Sequence, residues 1–210
     1  SIFYGIFFFF AGFNFILSGY STEKRTLAKE WLKNVILMII FIQSSFYIYS
    51  LIIEVSSLLT SEILNLIDPN FFLLTMDSME NIAIELSFSL PYLCNLLIAI
   101  IFLTIRYILV AIGVIFFPIA IFLNFIPPLK SYGKLIINTL MILIFLPFIQ
   151  ALILLGSSLL IDLPIFENFK IVIMSASILI ISLLMISLLT FAILKAAMSV
   201  LNSPMIRAIR

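Results

Sequence analysis

Histidine is absent from the 210 residues of this chain, and cysteine occurs once, as Cys94 inside an apolar run. These two scarcities exclude most familiar chemistry. Without His there is no ordinary zinc site, no His-ligated haem and no Ser–His or Cys–His nucleophile. A single Cys forbids an internal disulfide and leaves the redox compartment unread. Charge is also scarce: Asp, Glu, Lys and Arg make up 10% of the chain against about 25% in soluble domains. No G-x-x-x-x-G-K-[ST] phosphate loop is present.

Hydrophobic residues make up 64% of the chain. Several runs reach the ~20 apolar residues that span a bilayer core of roughly 30 Å. The fold class expected is an all-α integral membrane protein, one polytopic domain over 1–210, with transmembrane helices and amphipathic interfacial helices. Ser1 opens directly onto an apolar run with neither Met nor a basic n-region, which reads as a processed or trimmed start. Net charge is +1, so the distribution of charge must carry the argument.

The first span is 1–19, with Gly5, Gly12 and Gly19 on one helix face at seven-residue spacing. Small residues on one face admit a close helix–helix contact. "YSTEKRTLAKEWLKN", 20–34, places Arg25, Lys29 and Lys33 in a basic stripe opposite Leu27, Ala28, Trp31 and Leu32. That pattern predicts an amphipathic interfacial helix with Trp31 at headgroup depth, orienting the protein and offering a docking surface. The second span is 35–53. From 54 to 85 the charged residues are Glu54, Glu62, Asp68, Asp77, Glu80 and Glu85, with no base. This segment is expected to be an external loop carrying a surface helix over 55–67, a "DPN" break and a capping box at Asp77 and Glu80.

From Leu86 to Pro127 the only charged side chain is Arg106. A guanidinium in hydrocarbon costs from about 3 to more than 10 kcal/mol, so its surroundings matter. Gly113 and Pro118 suggest a break within this run, and Pro127 and Pro128 a second one after it. Further spans are 135–161, interrupted by Pro147 and carrying Gln150, and 171–194.

Lys and Arg counts orient the chain. The 20–34 loop carries four and 54–85 none, which puts the first inside and the second outside. Alternation then requires 86–127 to cross once, as a long broken element. The result is five spans, N-terminus outside and C-terminus cytoplasmic. Arg106 would lie near the inner interface or in a protein-lined vestibule. The competing reading is a hairpin with Arg106 at its tip, giving six spans.

Three features together carry a resemblance: the stripe "STEKRTLAKEWLKN" after the first span, the long external loop after the second, and "GVIFFPIAIFLNFIPPLKSYGKLIINTL" at 113–140. The chain resembles the polytopic inner-membrane component of type IV secretion systems, TrbL-like in bacterial conjugation and CedA-like in archaeal DNA import. In that family a Gly/Pro-containing apolar stretch precedes a turn with a basic residue and another span. Gly113, Pro118, Pro127, Pro128 and Lys130 stand in those places.

The resemblance implies a non-enzymatic channel or platform subunit of a DNA transfer or import machine in the plasma membrane. It also implies homo-oligomers, contact with membrane lipid and with other machine subunits including cytoplasmic ATPases, and no cofactor. Direct contact with the transferred DNA is not evident, because six external acids repel phosphate. Phe71, Phe72 and Tyr92 are instead expected to be packed or interfacial.

Two rivals remain open. A small-solute transporter or permease subunit would need convergent midplane polar groups, and Asn14, Gln43, Asn95, Asn138 and Gln150 are few. An ion-conducting stator-type subunit would use Arg106, but "YILVAIGVIFF" supplies no polar partner downstream of it.

Overall fold

The computed structural model describes residues 22–72, 82–126, 129–161 and 169–201, together with positions 5, 9, 12, 13, 15, 16, 163, 165 and 166. Four long helices carry the described chain: α1 (Thr22–Asn65), α2 (Ile82–Phe125), α3 (Lys130–Ile161) and α4 (Lys170–Leu201). All four are long and apolar enough to cross a membrane. No strand occurs among the described residues. Positions 5, 9, 12, 13, 15 and 16 of the first expected span are helical.

α1 is 44 residues long and corrects one expectation. Charge and apolar patterning predict an interfacial helix at 20–34, a span at 35–53 and a surface helix at 55–67, yet Thr22–Asn65 is continuous. The reason is visible in the chain: no Gly or Pro occurs between Gly19 and Pro69. Without a breaker, each added residue contributes a hydrogen bond at little further cost. The helix stops before Asp68-Pro69, where the residue preceding proline is steered away from the helical region, and Pro69–Phe72 forms a single 3-10 turn.

α2, also 44 residues, corrects a second. The break expected at Gly113 and Pro118 does not interrupt it, and neither does Pro91. No hairpin turns at Arg106. In apolar surroundings freed backbone groups find no water, so a helix that loses one bond at a proline is cheaper than a broken one. The capping box at Asp77 and Glu80 lies outside the described residues, as do Gly19, Pro127 and Pro128.

Packing groups the described residues within 1–49, 114–138 and 198–201 into one compact unit and those within 50–113 and 139–197 into a second. In the first, Tyr49 packs on Phe117 with ring centroids 5.2 Å apart. Phe41 faces Phe125 at 6.3 Å. Gly133 of α3 lies flat against α2: a Cβ there would fall 2.5 Å from the Ala120 carbonyl oxygen and from the Asn124 nitrogen. Only a residue without a side chain permits that approach.

In the second unit Ile67 and Phe71 pack with Met174, flanked by Tyr92, Leu154, Leu155 and Ile161. Phe71 and Tyr92 are thus packing residues. Ser157 and Ser177 form a buried seam between α3 and α4, their hydroxyl oxygens 2.6 Å apart. Small hydroxyl residues suit such a seam because they allow close approach and bond across it. Outward positions on α2, such as Leu97, Ile101 and Ile105, are exposed and apolar, as a lipid-facing surface requires.

Candidate functional site: Arg106 and the carbonyls beside Pro147

Pro147 lies inside α3 and does not end it. Proline has no N–H, so the carbonyl four residues earlier, that of Leu143, loses its helical donor. Left buried and unpaired, a carbonyl costs about 1–3 kcal/mol. Arg106 of α2 supplies the missing donor: its Nε–H donates to the Leu143 carbonyl at 2.8 Å. From α1, the buried Ser56 hydroxyl donates to the next carbonyl, Ile144, at 2.7 Å. Three helices therefore meet at two consecutive carbonyls beside the gap that Pro147 leaves in α3, all within the second unit.

This arrangement satisfies one polar group with another. The guanidinium gains a charge-assisted bond, and the proline-freed carbonyl gains a donor. Such rescue of a proline by neighbouring helices is how membrane helices tolerate it.

A cavity of about 340 Å³ opens beside the pair, lined by Ser56, Ser57, Thr60, Ser61, Arg106 and Tyr107 among others. Thr60 donates back to the Ser56 carbonyl at 2.7 Å and Ser61 to the Leu58 carbonyl at 2.9 Å, so both hydroxyls are tied to their own helix. Among the described residues no carboxylate lines the cavity. Arg106 makes no other hydrogen bond or ion pair among the described residues. Among the described residues the site offers a fixed positive charge and hydroxyls, groups that can bind and position an anion. Among the described residues no group of His, Cys, Asp and Glu could hold a metal ion.

The other expected site residues are dispersed. Arg25, Lys29 and Lys33 are exposed on the first turns of α1, with Ala28 buried and Trp31 40% exposed. Gly5 and Gly12 are exposed, and a Cβ at either would meet nothing within 4 Å. Gly113 is buried and Pro118 half-buried, both inside α2. The sequence singles out Arg106 and Pro147 but does not join them. The orphaned Leu143 carbonyl is legible from Pro147 alone, whereas its partner, 37 residues away, is not. Nothing in the sequence points to Ser56, or to the Ser157–Ser177 pair.

Long apolar helices, a lipid-compatible exterior and an interior sewn by serine and arginine define a multi-pass helical membrane protein. The family described as TrbL/VirB6 plasmid conjugal transfer like protein matches residues 2–209. The chain belongs to that family. No curated protein and no solved structure matches it.

Proposed function

We propose that this chain is the channel or platform subunit of a type IV secretion-like machine that moves DNA across the plasma membrane. The observation that carries the reading is the family match over 2–209, nearly the whole chain. It favours a secretion subunit over a solute permease or a stator-type ion conductor.

In this reading the subunit does no chemistry of its own, and partner ATPases in the cytoplasm supply the energy. The chain crosses five times, with its N-terminus outside and its C-terminus in the cytoplasm. The exposed stripe Arg25, Lys29 and Lys33 with Trp31 rests at the inner surface and receives a cytoplasmic partner. Gly5, Gly12 and Gly19 form a helix contact within or between subunits; among the described residues a Cβ at Gly5 or Gly12 would meet nothing within 4 Å, which leaves room for a second helix. The DNA passes beside or through the resulting homo-oligomer without sequence-specific contact.

Imaging the protein extracted with its native partners tests this reading. A ring of copies joined to cytoplasmic ATPases is expected. A monomer beside a ring of small two-helix subunits would overturn it in favour of a stator. A monomer with a closed midplane cavity would overturn it in favour of a transporter.

A further inference from the structure

We propose that the cavity beside Arg106 holds the phosphate of an anionic phospholipid. Charge is the first reason. Arg106 is half-buried and spends only its Nε–H on Leu143. Among the described residues its Nη donors have no partner and no carboxylate lines the cavity. A guanidinium among apolar helices without a counter-charge is expensive, so an anion from outside the chain completes the site.

Geometry and chemistry select the anion. With Nε anchored, the guanidinium plane is held and its outer edge presents two parallel donors, the fork that matches phosphate oxygens. The volume of about 340 Å³ is at the small end of ligand sites, enough for a headgroup and not a whole lipid. Ser57 adds a hydroxyl, whereas Ile53, Leu64 and Val110 provide apolar wall. A cavity polar on one side and apolar on the other suits an amphiphile.

The flanking residues favour lipid over nucleic acid. Glu54 and Glu62 are exposed on the same stretch of α1, and Tyr107 is 74% exposed on α2. Charged and amphipathic side chains of this kind sit at headgroup level. The two glutamates tolerate one phosphate seated on Arg106 but repel a polyanionic strand.

Native mass spectrometry of the delipidated full chain, titrated with phosphatidylglycerol or phosphatidylcholine, tests the proposal. One phosphatidylglycerol per chain is expected, bound about tenfold more tightly than phosphatidylcholine, whose choline cation competes with Arg106 for the phosphate and is repelled by the guanidinium. Arg106→Gln keeps a donor for Leu143 and removes the charge, and should abolish the preference. Leu64→Trp fills the cavity from an exposed position and should weaken phosphatidylglycerol binding while Arg106 stays in place. Equal binding of the two lipids, or binding unchanged in Leu64→Trp, would overturn the proposal. Displacement of the lipid by millimolar inorganic phosphate would overturn it in favour of a free anion. Displacement by a single-stranded oligonucleotide would overturn it in favour of nucleic acid.

Discussion

Arg106 gives its Nε proton to the Leu143 carbonyl at 2.8 Å, the one carbonyl that Pro147 deprives of its helical donor. The lone arginine and the mid-helix proline, each costly by itself, offset one another. Arg106→Met should therefore cost about 1–3 kcal/mol more in the natural chain than in a Pro147→Ala background, where the regained backbone N–H closes the helical bond to Leu143. Unfolding of the four chains of this double-mutant cycle in detergent measures the coupling. Additive effects would mean that the bond contributes nothing.

Ser56 holds the adjacent carbonyl from another helix. Ser56→Ala should destabilise the protein by about 0.6–1.7 kcal/mol, the range found for hydrogen bonds between membrane helices. Ser61→Ala serves as a control, because its hydroxyl bonds only within α1. Comparing their midpoints in one denaturation series separates the two.

Gly133 permits backbone contact in the other unit. With a Cβ 2.5 Å from the Ala120 oxygen, Gly133→Ala must push α3 away from α2. A loss of about 1–3 kcal/mol is expected, as for other overpacked contacts. Gly156→Ala, where nothing lies within 4 Å, should be silent or slightly stabilising. Melting temperatures of the two variants give the answer side by side.

The basic stripe predicts a functional effect without a folding one. Replacing Arg25, Lys29 and Lys33 together by Gln should lower DNA transfer by about tenfold or more, since ~1.4 kcal/mol lost from partner docking suffices for that. Membrane levels of the protein should not change, because all three side chains are exposed. Quantitative blotting beside a transfer assay reads both.

How far the sequence is legible follows from which forces act locally. Helix type and the terminations at Asp68-Pro69 and at 162–169 follow from apolar runs and turn residues. The lengths do not. Charge patterning suggests three elements between 20 and 67, but charge does not break a helix; α1 continues because it contains no Gly or Pro. Conversely Pro118 and Gly113 look like breakers, and α2 absorbs both.

Arg106 is conspicuous as the one charge in its run, and its cost can be stated from sequence. Its partner cannot, because the Leu143 carbonyl is backbone on another helix, chosen by tertiary packing. The same holds for Gly133, whose role depends on what lies opposite. The family resemblance rests on the basic stripe at 21–34, the long loop after the second span and the Gly/Pro pattern at 113–140 together, and the family match extends over 2–209.

The central claim is that this chain is a working part of a DNA transfer machine. Its most direct test is the transfer of a marked DNA between cells, measured with the gene deleted and then with the full chain restored. Transfer should be lost on deletion and regained on restoration, while cytoplasmic ATPase levels stay constant. Transfer at normal frequency in the deleted cells would contradict the claim.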